Sequence, residues 1–372
     1  MPSRLAIEVD PMSESSKRIF KCSGAIVAYL IGSGFASGQE VMQFFTSYGP
    51  LWGGLGGLIT LVLMTWGAGM VLQDARTLHL EDANRIFRHY CGSWLGTFFE
   101  WLSPLFLFGI YVIMLSGAGS LLSEYYGLPA VAGRILMLLL SLGTVLLGLE
   151  RLTDILGFIG PLIILLVVTV GVLCICANPG GIPAAQALVQ TLPMTRATRF
   201  WWLSGITYAT FCGFTLMPFL AGIGRLLKTD RESRASGMLG SGLFAATALV
   251  LSYGMLAWLD RLYDKAVPTV YMADILLPGA GVIFSVVMLA GIYTTAVPML
   301  WSACNKLASD DKSPRFRLAA VVLAAVAFVG GRLPFGTLIN IIYPYMGYFG
   351  ILVFAGVLRR HLPGRRPAPG RR

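Results

Sequence analysis

Gly32-Ser33-Gly34-Phe35-Ala36-Ser37-Gly38-Gln39-Glu40 sets three glycines, two serines, an amide and an acid inside an apolar run of approximately Phe20 to Phe45 that is long enough to cross a bilayer. Each glycine disfavours helix by about 1 kcal/mol relative to alanine. Backbone left unpaired in hydrocarbon is costly unless it faces protein or an aqueous cavity. A helix broken here for a purpose meets both constraints. The competing reading is that Gly34 and Gly38 form a small-xxx-small pair that lets two helices pack closely.

The rest of the chain is built for the same solvent. Of 372 residues, 56% are hydrophobic and 12% charged, about half the charged fraction of a typical soluble domain. Further apolar runs of helical length cover approximately Leu51 to Leu72, Leu95 to Leu122, Val131 to Leu149, Leu152 to Ala177, Phe200 to Leu220, Met238 to Leu259, Gly279 to Cys304, Leu318 to Gly331 and Phe335 to Leu358. With the first run these make ten expected spans, the ninth short enough to need flanking residues or a thinned bilayer.

Charge supports the count. Of the 28 Lys and Arg, all but Arg134, Arg196, Arg199, Arg261, Lys265 and Arg332 fall on one side when connections are assigned alternately. Basic residues are retained on the cytoplasmic side, so both termini are expected there. A miscount by one span would erase much of the asymmetry. The formal charge of +10 therefore reports topology rather than a nucleic-acid stripe. Residues 1–19 read as a cytoplasmic segment with no cleaved peptide, 20–358 as one transmembrane domain, and 359–372, with Arg365, Arg366, Arg371 and Arg372, as a basic tail suited to anionic headgroups.

Enzyme chemistry is not legible. Cys22, Cys91, Cys174, Cys176, Cys212 and Cys304 form no CxxC pair, and His79, His89 and His361 lie in polar connections, so no metal cluster or catalytic set can be read.

An internal repeat is legible. Gly109-Ile110-Tyr111 recurs as Gly291-Ile292-Tyr293, Gly69-Met70 as Gly254-Met255, and Pro161 as Pro344, all at similar offsets. Five spans per half is odd, so the halves, 20–177 and 200–358, enter the membrane from opposite sides as an inverted repeat. The same offset carries the first-span glycines to Thr207-Tyr208-Ala209-Thr210-Phe211-Cys212-Gly213-Phe214-Thr215, with Pro218 following. A second break is expected there, in helix six. Inverted-repeat transporters hold solute beside such breaks, near the bilayer midplane.

The breaks at Gly32-Ser33-Gly34 and Phe211-Cys212-Gly213-Phe214 resemble the motifs of the amino acid, polyamine and organocation superfamily, which has the LeuT-type five-plus-five fold. More narrowly, Gly32 to Glu40 is similar to the signature of the YkvI-like bacterial membrane proteins, classed with amino acid permeases. The resemblance implies an ion-coupled carrier of an amino acid or similar small solute in a bacterial inner membrane. Carriers of other solute classes, such as nucleobases and compatible solutes, and a channel-like or solute-sensing protein are the alternatives. It implies that Gly32, Ser33 and Gly34 hold the solute carboxylate, and that backbone at Phe211, Cys212 and Gly213 meets its amino group. Tyr111 and Tyr293 stand at repeat-equivalent places as solute contacts, or as rings whose hydroxyls bond neighbouring helices. Tyr208 and Phe211 read as an aromatic lid or as packing.

For the coupling ion, Thr294 and Thr295 with carbonyls near Ala28 and Ile31 match the sodium position of sodium-coupled members. Such threonines also often bond their own helix. A proton at Glu40 is the alternative. Glu40 is the acid deepest in an apolar run, readable as a gate paired with Arg199 or Arg332, a proton site, or a carboxylate reaching the outer interface. Glu100 and Asp154 are expected at interfaces. The 77–94 connection reads as a surface helix, and 266–277 as a segment folded over the outer vestibule. Direction of transport and oligomeric state leave no visible signature.

Overall fold

The computed structural model describes residues 14–78, 80, 82–147, 152–308, 310 and 312–361, with helix but not side chains over 152–161. Arg151, the Asp154 side chain, His79, residues 1–13 and the tail beyond His361 lie outside the described residues. Among those described there is no strand. The helices are α1 (Glu14–Leu30), α2 (Ser33–Ser37), α3 (Gln39–Phe44), α4 (Gly49–Leu78), α5 (Ile86–Tyr126), α6 (Ala130–Leu147), α7 (Leu152–Ala177), α8 (Gly181–Thr191), α9 (Trp201–Ile223), α10 (Asp230–Ala257), α11 (Leu259–Leu262), α12 (Pro268–Leu276), α13 (Ala280–Leu307), α14 (Pro314–Gly330) and α15 (Phe335–His361).

Helices lie at all ten expected positions. By length and composition alone, seven helical stretches among the described residues can cross a membrane, or eight if Leu162–Ala177 and Gly181–Thr191, bent by 98°, count as one span. The expected first span falls short because α1, α2 and α3 divide it, and the ninth because α14 has only 17 residues. Large apolar side chains such as Leu139, Leu165, Ile283 and Leu318 are exposed on the outside of the bundle, where lipid in place of water removes the cost.

The five-plus-five repeat is visible in which helices touch. α1 packs on α10 as α9 packs on α4; α1 meets α7 as α9 meets α15; α5 meets α15 as α13 meets α7. α6 lies against α5 and α13, as α14 lies against α13 and α5. Exchanging the two sets of five helices returns the same neighbours.

Side-chain bonds show that the halves run oppositely. At one end Arg18 of α1 pairs with Glu232 of α10 at 2.7 Å and Arg76 of α4 with Asp230 at 2.5 Å. There too Asp74 accepts from Tyr90 at 2.8 Å and lies 3.1 Å from His361 Nε2. At the other end Ser204 of α9 donates to the Phe44 carbonyl at 2.7 Å, Asn340 of α15 to Arg196 O at 2.9 Å, and Tyr271 of α12 to Glu124 O of α5 at 3.0 Å. So α1 starts at the end opposite to α9.

Small residues hold the centre together. A Cβ on Gly205 of α9 would strike the Gly56 backbone of α4, and one on Gly237 of α10 would come within 2.6 Å of Gly69 N. Threonine hydroxyls use the closeness: Thr60 donates to Gly205 O and Thr210 to Gly347 O, both at 2.8 Å. Without a hydrophobic drive between helices in lipid, this close packing and bonding is what associates them.

Both connections singled out in the sequence contain helix. The segment before the third span makes a 3-10 turn, Ala83–Arg85, and the start of α5, then bends at Gly92, whose φ of +78° only glycine adopts readily. α12 lies over α2, with Thr269 donating to Ala36 O at 2.6 Å. Glu100, in contrast, is buried and paired with Arg88 at 2.7 Å rather than lying at an interface.

If the end rich in Arg and Lys faces the cytoplasm, the α7–α8 connection is outside. A Cβ at Gly180 meets nothing within 4 Å. A Gly180→Cys variant in a Cys176→Ser background is expected to react with a membrane-impermeant maleimide in intact cells; protection until the cells are lysed would reverse the orientation.

Candidate functional site

α1 stops at Leu30, and Gly32, at φ −109° and ψ −176°, is extended before α2 begins at Ser33. The break removes helical partners from the last carbonyls of α1. One is recovered from the other repeat: Thr295 Oγ1 of α13 lies 3.0 Å from Ile31 O and 3.0 Å from Gly291 O. Beyond the break Ala36 N donates to Gly32 O at 2.9 Å and Ser37 Oγ to Gly34 O at 3.0 Å. Gly38, at φ +82°, then ends α2 in the left-handed region and starts α3. The Ser33 hydroxyl is buried without a partner.

This turn directs Glu40 inward. Its side chain is 3% exposed and Oε1 accepts from the Tyr208 hydroxyl of α9 at 2.7 Å. A Cβ on Gly34 would collide with Oε2 and lie 3.1 Å from the Tyr343 hydroxyl. The carboxylate therefore folds back onto the break. Its expected partners do not reach it: Arg199 lies over the Phe200 ring, and among the described residues no basic side chain pairs with Glu40. Such burial also excludes a carboxylate extended to the interface.

Beside the break is a cavity of about 40 Å³, lined by Tyr29, Leu30, Gly32, Glu40, Ile110, Met114, Phe211, Cys212, Thr215, Thr295, Met299 and Tyr343. Phe211 stacks on Tyr343 with ring centroids 4.2 Å apart. Toward the basic end, Tyr29 donates to Thr215 O at 3.0 Å and stacks on Phe219 at 4.5 Å. Toward the other end, Tyr208 is enclosed by Phe44 and Phe45, with centroids at 5.0 and 4.9 Å. Separate contacts thus flank each side.

The expected break in helix six is absent. α9 is continuous through Phe211, Cys212 and Gly213, with Pro218 inside it. Thr207, Thr210 and Thr215 bond carbonyls one turn back, and α4 and α15 pack along its length. One glycine costs too little to break a helix held in this way. Gly213 also faces elsewhere, lining an apolar cavity of about 30 Å³ between α4, α9, α10 and α15.

Tyr111 and Tyr293 do not line the site. Both reach α6, Tyr111 to Ser141 at 2.9 Å and Tyr293 to Thr144 at 2.7 Å. Both serine and threonine already donate to carbonyls of α6, so the phenols donate to them. Thr294 likewise bonds Gly291 O of its own helix at 3.0 Å. Of the expected sodium group, Thr295 and Ile31 are brought together, while the Thr294 hydroxyl is turned back and Ala28 lies one turn earlier in α1. Phe211 and Cys212 line the cavity from an unbroken helix. Tyr29, Met114, Met299 and Tyr343 were not predicted; as isolated apolar or aromatic residues on unbroken helices they give no signal in sequence, although Pro344 beside Tyr343 marked the region.

No family model matches the chain. Its curated relatives include the uncharacterized membrane protein YkvI of Bacillus subtilis (strain 168), 22% identical over 368 residues, covering 95% of this chain and 99% of the relative. The uncharacterized protein YyaD of the same organism is 23% identical over 334 residues, covering 90% and 94%. Similar solved structures include MhsT in complex with L-phenylalanine (TM-score 0.61, 15% identity, 90% of this chain and 87% of that one). A manganese transporter of Eremococcus coleocola gives 0.58 at 16% identity, covering 95% and 81%, and a Na+-coupled sialic acid symporter 0.57 at 13%, covering 90% and 78%. The chain is a multi-pass all-α membrane protein with the LeuT-type fold that these structures share.

The two glycines are expected to respond differently. Gly34→Ala should displace the Glu40 carboxylate and lower stability by about 1–3 kcal/mol, whereas Gly213→Ala, in open helical space, should be neutral or stabilising by up to about 1 kcal/mol. Thermal unfolding of the purified variants reads both, and equal destabilisation would place Gly213 at a second break.

Proposed function

We propose that the protein is a secondary active transporter for an amino acid or similar small solute in the cytoplasmic membrane of a bacterium, with both termini inside. The observation that carries this reading is the cavity of about 40 Å³ beside the Ile31–Gly32 break, flanked on either side by different contacts. It has room for a few waters, so a solute is admitted only when the lining moves apart. Alternating access needs a site that can be opened from one side while the other stays shut. Here Tyr29 with Thr215 and Phe219 closes one side, and Glu40 with Tyr208 and the α12 cover closes the other.

The proposed cycle moves helices rather than bonds. Solute exchanges with one side past α12 when the Glu40–Tyr208 contact opens, and with the other when α1 swings from α9 and breaks the Tyr29–Thr215 bond. The break allows the inner half of α1 to move without α2 and α3.

Sodium is the favoured coupling ion. The Ile31 carbonyl and the Thr295 hydroxyl, 3.0 Å apart, are hard oxygen donors suited to it, with the Ala28 carbonyl and a rotated Thr294 hydroxyl as further ligands. A proton on Glu40 is the second reading, supported by the burial of that acid without a counter-charge. Counterflow in proteoliposomes tests the carrier reading, since a channel or a sensor gives no exchange-driven accumulation. Replacing sodium by potassium should abolish most uptake, and Thr295→Ala should raise the sodium needed for half-maximal uptake about tenfold or more, the loss of one cation ligand. Uptake indifferent to sodium but dependent on a proton gradient, with that dependence lost in Glu40→Gln, would assign coupling to protons.

A further inference from the structure

Resting on the reading of this cavity as a solute site, we propose that the solute presents a protonated amine to Glu40, which acts as its counter-ion, with an apolar body lying against the aromatic and methionine wall. Glu40 is the sole charged residue among those that line the cavity, and no Lys or Arg lines it. An anion entering without a cation would meet the carboxylate with no basic side chain in the lining to offset the repulsion. A cation would supply the charge that the protein itself does not provide, and a buried carboxylate is stable only when so paired and bonded.

The geometry leaves one oxygen for this purpose. Tyr208 occupies Oε1, while Oε2 lies against Gly34, where even a methyl group would collide with it. Among the described residues no donor is bonded to Oε2. The rings of Tyr29, Phe211 and Tyr343 line the same space, and aromatic faces attract ammonium groups. Met114 and Met299 complete an adaptable apolar wall that offers no competing donor.

The continuity of α9 supports the assignment from the opposite side. Where helix six unwinds, its free carbonyls are available to an amine. Here they are taken by the helix and by its threonine hydroxyls. The acceptor that an amine needs is then a side chain, and Glu40 is the acidic one present. An α-amino acid remains admissible, held by its ammonium group. A carboxylate without an amine is not.

The test uses full-length protein in lipid nanodiscs and ligands that share one apolar body: 3-methylbutylamine, L-leucine and 4-methylpentanoate, a cation, a zwitterion and an anion, with phenethylamine as a larger cation. Calorimetric titration is expected to show binding of at least one amine-bearing ligand and none of 4-methylpentanoate. Glu40→Gln should weaken the amine-bearing ligand about 30-fold or more, as loss of one partner from a buried charge pair does, with the ligand-free melting temperature confirming a folded variant. Tyr208→Phe, which keeps the carboxylate, should weaken binding less than Glu40→Gln. Three results overturn the inference: 4-methylpentanoate binding wild-type protein as tightly as the amines, Glu40→Gln binding them with unchanged affinity, or no amine-bearing ligand binding at all. Counterflow with the ligand that binds separates this from the transporter reading. Amine binding without counterflow defeats transport and keeps the amine assignment, whereas counterflow of 4-methylpentanoate keeps transport and defeats the assignment.

Discussion

The carbonyl of Ile31, deprived of a helical partner where α1 ends, lies 3.0 Å from the hydroxyl of Thr295 on α13. In a bilayer core no water stands ready to take that role, so a break persists only where another part of the protein answers it. Here the answer comes from the opposite repeat, and it fixes the position of α1 relative to α13. The turn at Gly38, the inward course of α3 and the placing of Glu40 all follow from the direction in which the chain leaves the break. A sodium ion at the same carbonyl would serve the same electrostatic need.

The buried acid is the second constraint. Glu40 is 3% exposed and has one hydrogen bond, from a tyrosine that is itself enclosed by phenylalanines. A carboxylate in such a place is costly unless it is neutralised or paired, which ties its state to whatever occupies the cavity. It also bridges α3 and α9, one helix from each repeat. Under the transporter reading, occupancy of the cavity and closure of that side would be linked through one side chain.

Between the repeats, closeness substitutes for hydrophobic drive. Gly56 against Gly205 and Gly69 against Gly237 bring backbones together, and the Thr60 hydroxyl crosses the narrow gap to Gly205 O. Threonines of α9 explain why that helix stays whole. Thr207, Thr210 and Thr215 each return a bond to the preceding turn, so the glycine and proline that resemble a break in sequence lie in a helix reinforced from within and from both flanking helices. The repeats are alike in their neighbours and unlike in their first helices.

The sequence by itself determined the solvent, the helix positions, the odd-numbered repeat and the break at Gly32-Ser33-Gly34, because each is written in local composition: apolar run length, the side on which basic residues fall, and glycines too dense for helix. It also singled out Glu40, since an acid so deep in an apolar run is conspicuous, and Thr295 through the repeated Gly-Ile-Tyr. What Glu40 touches was settled only by tertiary structure, because a side chain in an expected helix faces an unknown azimuth until its neighbours are placed. For the same reason Tyr111 and Tyr293, equivalent by repeat, turn out to serve α6 rather than the cavity. Tyr29, Met114, Met299 and Tyr343 converge on the site from four helices, a meeting that no spacing along one strand of sequence encodes. Whether a glycine breaks a helix was likewise decided in three dimensions: at Gly32 α13 offers a partner to the freed carbonyl, and at Gly213 the surrounding helices and hydroxyls leave none to be freed.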